Sequence, residues 1–599
     1  MADSPGYQSD STAVDKPTPR SSRGRSTRSH RPRGTSSTRG HHSLVQLAVQ
    51  LVERIVYAVI YAPFAWATWA LYRLYQEVIR LVFASSGPHR PPGKPYGRIA
   101  VIGAGLTGVS TAAHAIDHGF EVVIFEAEKD VGGVWAGAPD LEPVPLETNS
   151  TSQLQLNSIL YRFHPSVKWN SGFPKRDEII SQIRAVWQRY DLQKRTRFDY
   201  RVKKVIRDPD SSTDPRSGGH SRWIVNDGHE GIFDAIVCAV GTCGDPKFIE
   251  LEGQDTFSGQ ILHSSQLDDA DLEGKRVVIV GSGASGVESA ELAVAKKAKD
   301  VVMLARSDKW IIPRNTLIDV LLSLQPFGRE MPLSFIPEWF IRVFHYRDLA
   351  ALSPPKKGLF QGTPIVNDEV LAHIREGKIQ YRRGDTKKIV PSGIRFVERE
   401  RDTKSGDDGE ETLISADVLI IATGYKRPSL DFLPQDLFPT ETDRDYHPPS
   451  LYLQNFAVED WSVLLTNASY QDGLGTVGNW HIGLLARIQL VFLLDETTRP
   501  LPAAMKTWVD VINWVKMQAW GEDSSGLTFF TYSEMCIWIL VFHLFNPRRL
   551  PWLPFILFGW GVRPGTVDRL SAEHVKAAEE RARGWGMRLR PSAWGRSSA

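Results

Sequence analysis

The chain has 599 residues, 42% of them hydrophobic and 23% charged, and a formal net charge of +2. This is the composition of an ordinary globular protein long enough for more than one domain. The near-neutral body speaks against nucleic-acid binding, and three cysteines argue against a disulfide framework and for a reducing compartment.

Residues 1–43 carry eight Lys or Arg against three Asp and almost no large apolar side chains. Such a segment cannot bury enough surface to fold, so a disordered basic arm is expected. Its composition also fits an organellar transit peptide, but it has no amphipathic apolar face. Residues 44–83 are different. Between Arg54 and Arg73 no residue is charged, and as a helix this run would span roughly 27 Å. Tyr57, Tyr61, Trp66, Trp69 and Tyr72 are interface-seeking aromatics. Pro63 would kink a span. Gln46, Gln50 and Glu53, then Arg73, Gln76, Glu77 and Arg80, recur at helical spacing, as in a helix lying in a membrane surface. A membrane-anchor helix is expected, spanning or in-plane; the alternative is a helix packed on the protein's own core. The apolar run starts too late for a cleavable signal peptide. Residues 84–97 read as a Pro/Gly linker.

From Arg98 to Glu126 the sequence reads RIAVIGAGLTGVSTAAHAIDHGFEVVIFE. An apolar β-branched run leads into Gly103, Gly105 and Gly108, then a helical segment, then a second strand ending on Glu126. Each part has a task in a dinucleotide-binding βαβ unit. Gly103 allows the tight turn, Gly105 lets a pyrophosphate approach, and Gly108 lets the helix pack on the strand. The helix N-terminus offers free N–H groups to phosphates. Glu126 stands where it can accept from a ribose diol. Next come Gly132, Gly133 and Trp135, which suit a backbone and an apolar surface beside a flat ligand. Asn149 follows in a polar stretch; it is either a turn residue or a hydrogen-bonding group beside a cofactor.

Residues 175–192 are predicted helical and 196–240 strand-rich, ending in DAIVCAVG. Cys238 and Cys243 flank the end of that strand with no basic neighbour, and read as buried structural thiols. Residues 275–306 form a second βαβ unit with Gly281, Gly283 and Gly286, whose second strand ends on Arg306. An Arg there can pair with a 2′-phosphate, so this unit favours NADPH over NADH. DVLIIATGY, ending at Tyr425, echoes DAIVCAVG; two such returns suit two nucleotide domains whose strands interleave. The apolar runs at 535–560 are too short to span a bilayer, and suit buried helices or a monotopic patch. No His, Cys, Asp or Glu set has metal-ligand spacing, and no metal is expected.

The ordered set of GAGLTG (103–108), Glu126, GGVW (132–135), the run Phe257 to His263, GSGASG (281–286) with Arg306, and ATGY (422–425) resembles the class B flavoprotein monooxygenases, especially the flavin-containing monooxygenase group. The resemblance implies an α/β fold with two Rossmann-like domains, FAD on the first glycine motif and NADPH on the second. It implies an FAD domain of residues 98–267 and 411–500, an NADPH domain of 268–410, and a helical, apolar extension over 501–599. NADPH would reduce the flavin, and O2 would then form a C4a-(hydro)peroxyflavin that oxygenates a lipophilic small molecule. Asn149 falls near the position of the family's catalytic Asn. His263 would order the two domains rather than act as acid or base. N- or S-oxygenation and hydroxylation are implied, with Baeyer–Villiger insertion as the alternative. Leu267 counts against the latter, since that branch typically carries Trp or Asp there. A flavin-dependent NADPH oxidoreductase without oxygenation, or a non-catalytic nucleotide-binding membrane scaffold, would use the same motifs. The expected setting is the endoplasmic reticulum or another internal membrane, with the catalytic domain in the cytosol.

Overall fold

The computed structural model describes residues 62–83, 95–136, 152–211, 221–316, 318–319, 333–359, 364–441, 444–466, 480–517 and 532–560. The basic arm, the first part of the anchor and Asn149 therefore lie outside the described residues. The chain divides into two compact units, one ending at Tyr75 and the other beginning at Gln76.

Helix α1, Ala62–Phe83, runs from one unit into the other. In the first unit Trp66, Trp69, Leu71 and Leu74 are exposed, and the Arg73 guanidinium lies 5.2 Å from the Trp69 ring centre. In the second unit it is the polar Gln76 that is buried, at 3% exposure, while Leu81 is 72% exposed. The Gln76 amide accepts from Trp169 N at 2.8 Å and Arg162 Nη2 at 2.7 Å, and donates to Trp169 O at 2.9 Å. In this unit Gln76 is thus bonded to protein and Phe83 packs against the rings of Trp480 and Phe558, while Leu81 is left outward.

The second unit is built on two parallel-stranded sheets. Strands β1 (Arg98–Ile102), β2 (Glu121–Phe125), β3 (Thr196–Arg197), β7 (Ala235–Cys238) and β19 (Val463–Leu464) form the first, in the order β19-β7-β1-β2-β3. Helix α2 (Leu106–Asp117) crosses from β1 to β2 and is buried along its length. Strands β4 (Val205–Arg207), β5 (Trp223–Val225) and β6 (Ile232–Phe233) form a small antiparallel sheet, and α3 (Arg176–Arg189) precedes β3.

The second sheet has the order β15-β14-β13-β10-β9-β16-β8. Its parallel part is β8 (Gln260–His263), β9 (Arg276–Val280), β10 (Asp300–Ala305), β13 (Ile379–Val390) and β16 (Val418–Ile421). An antiparallel meander of β14 (Gly393–Glu398) and β15 (Glu410–Ser415) extends β13. Helix α4 (Ala284–Ala295) crosses from β9 to β10. The strands alternate in the expected way: Val277, Ile279, Val301 and Met303 enter one core, and Val278, Val280, Val302 and Leu304 the other. Residues 260–263 and 411–421 are expected with the first βαβ unit, but β8 and β16 pair in the second sheet. The physical reason is that each unit takes its own return strand. β7 pairs with β1, and β16 with β9.

The remaining pairs are β11 (Ile311–Ile312) with β12 (Ile365–Val366), and β17 (Thr440–Glu441) with β18 (Arg444–Asp445); α5 (Phe335–Phe340) and α6 (Val370–Arg375) lie between β11 and β13. Helices α7 (Trp480–Leu494), α8 (Pro502–Met517), α9 (Tyr532–Leu544) and α10 (Leu553–Phe558) complete the described chain. The apolar runs at 535–560 divide: Trp538, Phe542, Phe555 and Ile556 are buried, whereas Leu540, Leu544, Phe545 and Trp560 are exposed. Helix α7 is buried nearly throughout. Its Arg487 donates to Ile556 O and Leu557 O at the end of α10, and stands 3.3 Å from His114 Nδ1 of α2. Among the described residues no helix is long and apolar enough to cross a membrane.

Candidate functional site

The two glycine motifs sit at the carboxyl ends of β1 and β9, where ligands bind in open α/β sheets. They are built alike. Gly103 has φ +106° and Gly281 φ +124°, values that L side chains rarely adopt. A Cβ on Gly103 would run into the Ala239 carbonyl after β7, and one on Gly281 into the Ala422 carbonyl after β16. A Cβ on Gly108 would overlap Gly103 O, and one on Gly286 would overlap Gly281 O. Helix α2 starts on Gly105 and α4 on Gly283, and neither has a side-chain cap. Their first N–H groups are therefore offered to an anion rather than to a Ser or Asp of the chain.

The strand ends differ. The Glu126 carboxylate accepts from Ala104 N at 2.5 Å and Glu128 N at 2.9 Å, so it braces the first glycine loop from within. Burial pushes its pKa upward, against those two backbone bonds. Gly105 and Gly132 form a parallel bridge, and Gly132 N donates to Ala104 O at 3.0 Å. A Cβ on Gly105 would meet Gly133 Cα at 3.6 Å, an ordinary contact. The side of Gly105 expected to face a pyrophosphate thus points its missing Cβ at GGVW. Trp135 is half-buried and its Nε1 donates to Tyr161 Oη at 3.2 Å.

At the second motif Arg306 is exposed just past β10. Its carbonyl accepts from Arg399 Nη2 at 2.7 Å, and the hydroxyl of the glycine loop's Ser282 reaches the carbonyl of the next residue, Ser307, at 3.4 Å. Lys309 Nζ lies 3.7 Å from where a Gly283 Cβ would stand. Sequence reading stopped at Arg306 and missed this second cation, although Lys309 lies three residues further on.

His263 is fully buried at the end of β8. Its Nδ1 is 2.9 Å from Ser265 Oγ and its Nε2 3.2 Å from Gly424 O, between the rings of Phe248 and Tyr425. Burial lowers its pKa, against the Gly424 bond. It orders the ATGY turn within the second sheet, rather than joining two domains, because β8 and β16 are neighbours there. Leu267 is fully buried in the core of that sheet. Cys238 is buried and burial pushes its thiol up to about 12; Cys243 is only half-buried.

Between the motifs lies a polar seam that the sequence did not reveal. Ser152 Oγ donates to Glu288 Oε2 of α4 at 3.1 Å. Burial raises Glu288 to about 7, against the hydroxyl of Ser152 and with Glu291 adding to the rise. Asp319 accepts from Asn157 N at 2.7 Å and Nδ2 at 3.3 Å, and burial raises it to about 6.

This arrangement, a pair of crossovers each opened by a bare glycine-capped helix, is that of a protein with two dinucleotide-binding folds. The chain belongs to the flavin-binding monooxygenase-like family, which matches residues 96–444. It is 28% identical to flavin-containing monooxygenase 5 of Cavia porcellus over 356 residues, 56% of this chain and 62% of that protein. A Baeyer-Villiger monooxygenase of Pseudomonas aeruginosa is 28% identical over 236 residues, 39% of this chain and 41% of that one. The chain thus spans less than two thirds of the length of these relatives. An oxidised steroid monooxygenase bound to NADP superposes with a TM-score of 0.56 at 18% identity, covering 75% of this chain and 97% of that one. OTEMO in complex with FAD and NADP gives 0.53 at 18% identity, covering 76% and 98%. These two likenesses are of fold.

Proposed function

We propose that the chain is an FAD-dependent, NADPH- and O2-consuming monooxygenase of small lipophilic molecules. The observation that carries this reading is the doubled site. Two uncapped helix N-termini, each behind a glycine held at positive φ, end in a carboxylate at one strand and a guanidinium at the other. The residues fit the two groups. Gly103, Gly105, Gly108, Glu126, Gly133 and Trp135 would hold FAD. Gly281, Gly283, Gly286, Arg306 and Lys309 would hold NADPH, the two cations taking the 2′-phosphate. By sheet membership the FAD domain is the β1 sheet with its crossover, and the NADPH domain is the β9 sheet including β8 and β16.

When bound, the flavin supplies hydride acceptance and oxygen chemistry. The chain's residues bind, orient and exclude water. Asn149 is the proposed hydrogen-bonding residue beside the flavin. The inert Cys238 thiol, held far above neutral pH, gives no support to a disulfide-reductase reading. Leu267 adds an apolar side chain to the core and no polar group to the site, which favours N-, S- or C-oxygenation over insertion into ketones.

The outward apolar residues of α1 support membrane association, with an internal membrane such as the endoplasmic reticulum as the proposed site. The test is a balance of NADPH oxidised, O2 consumed and H2O2 released by the purified flavin-loaded protein, with tertiary amines, sulfides and ketones in turn. Oxygenated product with H2O2 well below the NADPH oxidised would support the reading and name the class. Stoichiometric H2O2 with every substrate would sink it.

A further inference from the structure

The stretch from Ser152 to Ser158 is tied down on two sides. On one it follows neighbouring backbone: Leu154 N donates to Pro174 O at 3.0 Å, Ser158 N to Gly172 O at 2.7 Å, and Arg176 N to Ser152 O at 3.0 Å. On the other it meets two carboxyl groups from far along the chain. Ser152 and the Gln155 side chain bond Glu288, in the second turn of α4. Asn157 gives both its backbone N–H and its amide to one oxygen of Asp319, in the segment after β11. The Asn157 Oδ1 in turn accepts from Ile159 N at 3.0 Å and Leu160 N at 3.3 Å. Asp319 therefore fixes the residue that shapes the following turn. Ser152, Asn157 and Asp319 are all buried, so a donor that lost its carboxyl could not turn to water.

We propose that Glu288 and Asp319 are positioning residues, a two-point carboxyl clamp that locks residues 152–158 to the helix opening on GSGASG at one point and to the segment after β11 at the other. The clamp couples the two nucleotide-binding halves through these two carboxyl groups. Asn149 lies three residues before its first point, so for the part that concerns the reaction this inference rests on the proposed function. A loosened clamp lets the oxygenating step leak H2O2.

Hydrogen–deuterium exchange on the full-length protein tests the clamp without any cofactor. Glu288→Ala and Asp319→Ala should each raise exchange of amides in 152–160 about tenfold or more, with β1 and β9 unchanged. Glu288→Gln and Asp319→Asn keep an acceptor oxygen and should restore most of the protection. Where an alanine variant fails to fold, Ser152→Ala removes the donor and reads out in the same peptide. In the flavin-loaded enzyme the alanine variants should release several-fold more H2O2 per NADPH. Unchanged exchange at 152–160, or loosening spread equally through β1 and β9, would overturn the clamp. Local loosening with an unchanged H2O2 ratio would overturn its link to the reaction. An unsubstituted protein that oxidises no NADPH would overturn the proposed function instead, and the exchange result would stand.

Discussion

At the scale of single residues, the glycines do unequal work. Gly108 and Gly286 have no room for a Cβ, because each faces the carbonyl of its own first glycine. Gly105 has ordinary contact space on its Cβ side. Gly108→Ala and Gly286→Ala should therefore each destabilise the fold by about 2 kcal/mol or more, whereas Gly105→Ala should fold normally. Chemical denaturation of the three variants checks this; an equal loss in all three would show that the crowding does not decide. Gly105→Val places its branches against Gly133 and the ligand side, and should lower flavin retention on gel filtration. Arg306→Ala should raise KM for NADPH by about tenfold, and for NADH little. Lys309→Ala should do the same to a smaller degree, and equal effects on both coenzymes would remove the case for 2′-phosphate recognition. The glycine triads, Glu126 and Arg306 were legible in the sequence because each motif is local. The Ser152–Glu288 and Asn157–Asp319 bonds were not, because they join residues 136 and 162 positions apart. Asn149 was singled out from the sequence and lies outside the described residues.

At the scale of elements, β-branched runs announced the strands, but not which sheet they join. β8 and β16 are short apolar strands that would suit either sheet; their partner β9 is settled by tertiary pairing. Helix α1 shows the same division. Its amphipathicity could be read, and its orientation could not: Gln76 is clasped by Arg162 and Trp169, and the leucines face out. Deleting the helix through Phe83 would strip a bonded partner from the buried Arg162 and cost stability as well as any membrane contact. Replacing Leu71, Leu74 and Leu81 by Ser leaves Gln76 in place. The triple variant should keep its unfolding midpoint and shift from the membrane pellet to the supernatant on cell fractionation. Pelleting like the unsubstituted protein would move the membrane contact elsewhere, first to Leu544, Phe545 and Trp560.

At the scale of the whole molecule, a buried cationic and imidazole cluster ties α2, α7 and α10 together. His114 and His164 lie with ring centres 4.9 Å apart beside Arg487. Burial lowers His114 well below its ordinary pKa, and lowers His164 to about 3, with nearby arginines adding to both. The folded protein holds these rings neutral, while the unfolded chain takes up protons near pH 6.5. The stability these rings contribute is therefore complete above about pH 6.5 and falls as pH drops toward the folded value; His164 alone accounts for about 2 kcal/mol by pH 5. Glu288 and Asp319, raised by burial, take up protons over the same range and stabilise the fold as pH falls, so the check is a comparison: going from pH 7 to 5, thermal unfolding should shift less favourably in the unsubstituted protein than in His164→Asn. Equal shifts in the two proteins would mean that the His164 ring is not held neutral.

The likeness of the two glycine sites has a consequence for how specificity could change. Each has the same turn, the same carbonyl above its first glycine and the same uncapped helix. What separates them is the strand end: Glu126 is buried and bonded into its own glycine loop, whereas Arg306 is exposed. Coenzyme preference is thus a detachable trait at the second site alone: it can drift, or be re-engineered, at that exposed rim while the frame beneath stays as it is, whereas a change at Glu126 would disturb the frame itself.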